Sequence, residues 1–378
     1  MESTGKFKET KGTNKIKGAK SIMSRRAWLK ASALLPLLPL STLVGADGKL
    51  IAAESSTVSA EQFATWRFAV FSDTQGNPGV GTVVNERVTQ TMAEDALREK
   101  ADFVLVSGDL VSGWFRNGGV GFTEQYAIWK KAMEPVLQNG IRIFPVRGNH
   151  DHGPERMVLP PLPAQHEPAP GDLERLETAY RAAVDAVNKD LPQNGPAGEK
   201  GLSYSFGHKN ALIVGLDEYA QHEHLVSQEW LDAQLATAAG RHVFVYGHEP
   251  AFETIHRDNL AAFPEARDRF WDSLGAAGAR TYFCGHDHIY NRGLIADSKG
   301  REIHQVISGT GGGSLKTWPG TYPDKRVRGE HHDEKHHGYL LVTVEGSKAT
   351  VAWKALVARD DKTTSLEVLD SFAYDLAM

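Results

Sequence analysis

From residue 66 onward, short apolar runs alternate with stretches of helical periodicity. Residues 66–72 (WRFAVFS), 102–107 (DFVLVS) and 141–146 (IRIFPV) are too short for helices and end in turn-forming residues, the pattern of strands buried on both faces. Between them, residues 85–100 place Val88, Met92 and Ala96 at helical spacing. A second helix is predicted from Thr123 through Val136, ended by Asn139-Gly140. Further strands are predicted over 202–206, 211–216, 242–246 and 280–284, with helices over 173–191, from Ser227 through Leu235, and over 265–277. The C-terminal part reads as strands alone, at 293–297, 302–308, 339–345 and 349–357. Strand–helix alternation followed by an antiparallel run predicts one α/β domain over 66–357, with two packed mixed β-sheets flanked by helices. Residues 152–201 read as a lid or insertion, because six prolines fall between 152 and 172, and residues 358–378 read as a C-terminal tail.

The N-terminal segment has a different character. Residues 1–46 hold nine basic and two acidic side chains (+7), which leaves 33 basic against 45 acidic (−12) in the remainder. Ser24-Arg25-Arg26-Ala27-Trp28-Leu29-Lys30 precedes an apolar run over 31–44 that Pro36 and Pro39 interrupt, too short and broken to span a bilayer. Small residues follow at Gly45-Ala46. The pattern resembles a twin-arginine export signal over 1–46, with 47–65 as a tether. It implies the twin-arginine export machinery as a partner, a periplasmic or extracellular location, and no transmembrane segment in the mature form. The acidic remainder gives no support for stable nucleic-acid binding. A lone cysteine, Cys284, excludes an intrachain disulfide and any multi-cysteine metal site.

Chemistry-bearing residues recur just past the predicted strands. Asp73, Asp109, Asn149, His248 and His286 follow one another at separations of 36, 40, 99 and 38 residues, with His288 two beyond the last. Open α/β sheets bind ligands beyond the carboxyl ends of their strands. Carboxylates, an amide oxygen and imidazoles make a mixed donor set suited to Mn, Fe or Zn.

The ordered segments Asp73-Thr74-Gln75, Gly108-Asp109, Gly148-Asn149-His150-Asp151, Gly247-His248 and Gly285-His286-Asp287-His288 resemble the calcineurin-like metallophosphoesterase superfamily over roughly residues 67–357, most of the mature chain. The resemblance implies a four-layer α/β/β/α sandwich and two divalent or trivalent metal ions. It further implies hydrolysis of small phosphate mono- or diesters by a metal-bound hydroxide. Asp109 would bridge both ions, Asp73 and His288 would hold the first, and Asn149, His248 and His286 the second. His150 would sit on the leaving-group side, with Asp151 fixing its ring. The alternative is a degenerate, non-catalytic metal- or phosphate-binding relative.

This chain departs from the family pattern at Gln75, where a His is usual; its carbonyl oxygen is a weaker donor, which implies a weakened first site. The segment Gly108-Asp109-Leu110-Val111-Ser112 also lacks the Tyr of purple acid phosphatases. Beyond this set, Arg292 is a candidate for pairing with substrate phosphate, and Trp114 and Phe115 for stacking on a leaving group. The histidines of 331–337 read as a solvated loop, and Gly309-Thr310-Gly311-Gly312-Gly313 as a flexible rim.

Overall fold

A computed structural model of the chain describes residues 64–77, 81–113, 120–153, 171–359 and 363–376. All of them belong to the unit Val58–Met378; the other unit, Met1–Thr57, lies outside the described residues. The expected export signal, Trp114, Phe115 and the proline-rich stretch 154–170 also lie outside them.

Among the described residues, thirteen strands form two mixed sheets. In chain order they are β1 (Trp66–Phe71), β2 (Phe103–Ser107), β3 (Arg142–Val146), β4 (Tyr204–His208), β5 (Ala211–Gly215), β6 (His242–Tyr246), β7 (Thr281–Cys284), β8 (Tyr290–Ala296), β9 (Glu302–Ser308), β10 (Arg328–Asp333), β11 (Gly338–Glu345), β12 (Lys348–Ala358) and β13 (Thr364–Asp375). The helices are α1 (Glu86–Arg98), α2 (Phe122–Ala132), α3 (Glu134–Leu137), α4 (Asn149–His152), α5 (Asp172–Val187), α6 (Gln228–Leu235) and α7 (Pro264–Ala276). One sheet has the order β13-β12-β11-β1-β2-β3 and the other β10-β8-β9-β7-β6-β5-β4. Strands β1, β2 and β3 run parallel in the first, and β5, β6, β7 and β9 in the second.

Alternation along β1 explains the layering. Phe68 meets Phe103 on the neighbouring strand (5.1 Å) and, across the sheet–sheet interface, Phe244 (5.0 Å) and Phe283 (6.4 Å). Phe71, on the opposite face, packs against Tyr339, whose hydroxyl donates to Asp95 of α1. Both faces of β1 are covered, as its unbroken apolar run requires. A second apolar cluster joins the other face of the seven-stranded sheet to α6 and α7 through Leu231, Leu235, Phe270, Trp271 and Leu274. The two-sheet sandwich expected from the sequence is the observed fold.

Three expectations on local structure need correction. The helix predicted through Val136 is two, α2 and α3, divided at Met133. Pro135 lacks an N–H and its ring crowds the preceding turn. The supposed tail is the edge strand β13, paired along β12 from Lys348↔Asp375 to Ala358↔Thr364. Its half-exposed pattern, with Val368 and Leu369 facing out, hid it. The histidine-rich stretch is a loop only in part: His331 and His332 belong to the edge strand β10 along β8, and residues 334–337 connect it to β11.

Candidate metal centre

Parallel strands of both sheets end along one edge, and the loops leaving β1, β2, β3, β6 and β7 carry the candidate ligands. These loops brace one another in a closed ring. Asp73 N–H donates to Gly108 O (3.0 Å) and Gln75 N–H to Asp109 O (3.1 Å), joining the first loop to the second. His150 N–H donates to Asp109 Oδ1 (2.9 Å) and Leu110 N–H to Asp151 Oδ2 (3.1 Å), joining the second to the third. Asn149 Oδ1 lies 3.1 Å from His248 Nε2, and Gly285 N–H donates to His248 O (2.8 Å). The ring closes where His286 N–H reaches both oxygens of Asp73 at 3.1 Å. The glycines before the ligands make these approaches possible: a Cβ on Gly148 would sit 2.1 Å from Asp109 Oδ1, and one on Gly285 2.1 Å from Asp73 Oδ2.

Two groups of side-chain donors result, and they share Asp109. In the first, Asp73, Asp109 and His288 bring one ligand atom each to within 4.8 Å of one another. Gln75 Nε2 lies among them, donating to Asp109 Oδ2 (2.9 Å) and 3.1 Å from His288 Nε2. In the second, Asn149 Oδ1 faces His248 Nε2 (3.1 Å) and His286 Nδ1 (3.2 Å), and His248 Nε2 is 3.5 Å from Asp109 Oδ1. Each imidazole is oriented through its other nitrogen, as metal-binding histidines are. His248 Nδ1 contacts Ser107 O (2.8 Å), His288 Nδ1 contacts Ser314 O (3.0 Å), and His286 Nε2 faces Asp258 Oδ1 (3.6 Å).

The electrostatics favour positive charge at this edge. Burial alone would raise the Asp73 carboxyl, yet His288, His248 and the Ser72 hydroxyl draw its pKa down to about 2. Burial disfavours a charged His288, and the Asp73 contact outweighs it, with Asp109 adding to the upward shift. Asp258 overcomes burial in the same way at His286 and pushes that imidazole well above its ordinary value. The donor set fits a pair of cations: it is buried, mixed in oxygen and nitrogen, and anionic. Gln75 Oε1 is buried without a hydrogen-bond partner, so rotating the amide by 180° brings that oxygen in among Asp109 and His288.

His150 and Asp151 do not form the expected pair. The His150 ring is oriented by Ser112 O, 3.0 Å from Nδ1, and Nε2 points toward Asp109 Oδ2 at 3.9 Å. Asp151 is fully buried and accepts instead from Gly148 N–H, Leu110 N–H and the Tyr126 hydroxyl. Burial, then the nearby Asp109 charge, lifts its carboxyl to about 7. Asp151 therefore ties the second and third loops together.

Arg292 is likewise committed within the fold. Its guanidinium pairs with Asp370 through Nε (2.8 Å) and Nη2 (3.2 Å), pairs with Glu330, and stacks over Phe372. These partners, Asp370 and Phe372 on β13 and Glu330 on β10, weigh against the expected pairing with substrate phosphate. The nearby histidines also have internal contacts: His332 against the Trp318 ring, His336 on Asp333 and His337 on Thr310 O. Sequence reasoning missed Asp258, Ser112 and Ser314. The last two act through backbone carbonyls, which any residue type provides.

No curated protein sequence matches the chain significantly. Among solved structures it is similar in fold to "Structure of PhoD", with a TM-score of 0.60, 13% identity, and coverage of 83% of this chain and 70% of that one. It is similar also to purple acid phosphatase PPD1 from yellow lupin (Lupinus luteus) seeds, with a TM-score of 0.60, 15% identity and 83% coverage; the match spans 54% of the lupin chain. The family model described as calcineurin-like phosphoesterase matches residues 67–290, the span that carries all five ligand-bearing loops. With the loops in that order and the strands in that topology, the chain belongs to the calcineurin-like phosphoesterase family.

Proposed function

We propose that this metal-dependent phosphoester hydrolase acts on small phosphate mono- or diesters at a pair of cations and is exported through the twin-arginine route. The observation that carries the two-cation reading is the position of Asp109, whose Oδ1 faces His248 and whose Oδ2 faces Gln75. Asp73, Gln75, Asp109 and His288 would hold the first cation, and Asp109, Asn149, His248 and His286 the second. Bound cations supply Lewis acidity toward phosphoryl oxygens and make water ionisable near neutral pH.

The remaining work falls to the chain. The Ser112 carbonyl accepts from His150 Nδ1, which leaves Nε2 as the atom that carries a proton toward the leaving-group oxygen. Asp109 Oδ1 accepts from His150 N–H, which ties the carboxylate that would bridge the two cations to the proton donor as one unit. The hydrogen bonds that Asp151 accepts from Gly148 and Leu110 hold that unit against the second loop.

Export is supported by the Arg25-Arg26 segment and the short apolar run after it. Among the described residues, no helix is long and apolar enough to cross a membrane. The test is hydrolysis of an aryl phosphate monoester and an aryl phosphate diester by protein loaded with Mn, Fe or Zn. A rate above background that is lost in Asn149→Ala supports the reading. A metal-loaded chain inactive on both esters refutes it in favour of the degenerate binding relative that Gln75 would suit.

A further inference from the structure

The glycine-rich segment after β9 is not a flexible rim. Residues 309–313 are buried, and two of their backbone N–H groups bond to the loop after β1. Gly311 N–H donates to Ser72 O (3.0 Å) and Gly313 N–H to Asp73 O (2.9 Å). Asn85 Nδ2 donates to Gly312 O (3.0 Å), and Asn85 N–H reaches back to Thr74 O (3.0 Å). These bonds hold Asp73 in a left-handed conformation (φ 54°) that a residue with a Cβ rarely adopts. The same segment grips His288: Ser314 O contacts Nδ1 (3.0 Å), and Lys316 N–H donates to His288 O (3.0 Å).

Clearance is absent along this run. A Cβ on Gly311 would lie 2.1 Å from Ser72 O, and one on Gly312 2.8 Å from Thr74 O. The three atoms nearest a Cβ on Gly313 would all belong to the His288 ring: Cε1 at 2.6 Å, Nδ1 at 2.8 Å and Nε2 at 3.0 Å. Gln75 stands where the family usually has a second histidine, so among the described residues His288 is the one imidazole grouped with Asp73 and Asp109.

We infer that residues 309–314 form the seat of the first metal cluster and that Gly313 is a positioning residue acting through His288. The inference rests on the reading of Asp73, Asp109 and His288 as metal ligands. An anion-binding role for the run is excluded at Gly311 and Gly313, whose N–H groups are already engaged.

The experiment compares full-length wild type, Gly313→Ala, His288→Ala and the double variant by calorimetric titration with Mn²⁺. Electron paramagnetic resonance reads coupled against isolated Mn²⁺, and thermal melting is followed in parallel. Wild type should take up two equivalents. Gly313→Ala should lose about 10–100-fold in affinity for the same equivalent that His288→Ala loses, keep the other, and show isolated in place of coupled Mn²⁺. With the ring gone, Gly313→Ala should add nothing to His288→Ala in affinity or melting temperature. That comparison decides the matter even where Gly313→Ala alone does not fold. Gly121→Ala, where the added Cβ meets nothing within 4 Å, should behave as wild type. Wild-type affinities in Gly313→Ala, parallel weakening of both sites, or a double variant worse than His288→Ala would overturn the seat. A wild-type chain that binds no Mn²⁺, Fe²⁺ or Zn²⁺ would instead defeat the metal reading itself and the seat with it.

Discussion

Arg147 and Asp217 form an ion pair between the loop after β3 and the loop after β5, and so between the two sheets. Arg147 is 1% exposed and Asp217 2%. Nε donates to Oδ2 at 2.6 Å and Nη2 to Oδ1 at 2.9 Å, a bidentate geometry, while Nη1 has Glu177 at 3.4 Å. Asp217 Oδ1 also accepts from Tyr219 N–H (3.1 Å) and Ala220 N–H (2.8 Å). The two single losses are therefore unequal. Arg147→Met leaves a carboxylate that two backbone amides still solvate; Asp217→Ala leaves a guanidinium with only the longer Glu177 contact. Stranding one partner of a buried pair costs about 3–5 kcal/mol, so Arg147→Met belongs near the lower bound and Asp217→Ala near the upper. With a urea m-value of about 3 kcal/mol/M for a domain this size, the midpoints should fall by about 1 M and about 1.7 M. Arg147→Met/Asp217→Ala should be no less stable than Asp217→Ala alone, a coupling of about 3 kcal/mol against the sum of the single effects. Burial would raise the Asp217 carboxyl, and Arg147 outweighs it and lowers it. The pair's stabilisation is then complete above the unfolded carboxyl pKa of about 4 and is lost as pH falls through the lower folded value. Urea midpoints at neutral and acid pH check both statements. Additive single effects, or a larger loss in Arg147→Met than in Asp217→Ala, would refute the reasoning.

Asp109→Ala should lower occupancy of both cations together, whereas Gln75→Ala should lower at most one, as elemental analysis of protein purified without chelator reads directly. His150→Gln should reduce kcat on an aryl phosphate by about 10²–10⁴-fold while metal content stays at the wild-type value; a parallel loss of metal would reassign the residue as a ligand. Arg292→Ala should leave KM unchanged and lower the melting temperature, because its partners Asp370 and Glu330 belong to the fold. A raised KM with unchanged melting would restore it to the substrate site. Replacing Arg25 and Arg26 by lysine should hold the precursor inside the cell, which fractionation detects.

The architecture was legible because the central strands of both sheets are covered on both faces, and their apolar runs stand out against amphipathic helices. The ligand-bearing residues were legible for a related reason: each follows a buried strand end, where a polar residue has little else to do than meet its neighbours at the edge. What escaped was whatever depends on the partner and not on the residue. β13 alternates half-exposed positions against β12, and only that pairing distinguishes it from a tail. Arg292 looks like a free cation until β13 brings Asp370 to it. The family resemblance implied that Asp151 serves His150, but the short helix α4 turns the two side chains to different partners, Tyr126 for one and Ser112 for the other. Glycine patterns were equally opaque, since the run at 309–313 spells flexibility in letters and is buried by the loops it touches.

Strain and chemistry coincide at this edge. Asp73, Asp109 and His286 all have positive φ, at 54°, 55° and 68°. Such conformations cost a residue with a Cβ about 1–2 kcal/mol each, so the surroundings must hold them. Beside the bonds from the 309–313 run, the other ligand loops supply hydrogen bonds that do so: His286 N–H onto Asp73, His150 N–H onto Asp109, and Gln75 N–H onto Asp109 O. Neither donor group belongs to one sheet. The first draws on the loops after β1, β2 and β7, the second on those after β2, β3, β6 and β7, and β1 to β3 lie in a different sheet from β6 and β7. The packing of Phe68 against Phe244 and Phe283, which brings the two sheets together, is thus a precondition for either donor group. Local sequence puts each polar residue at a strand end; the left-handed turns that aim them inward are stable only once both sheets are in place. That dependence explains why no single loop, however well it matches a motif, is a metal site by itself.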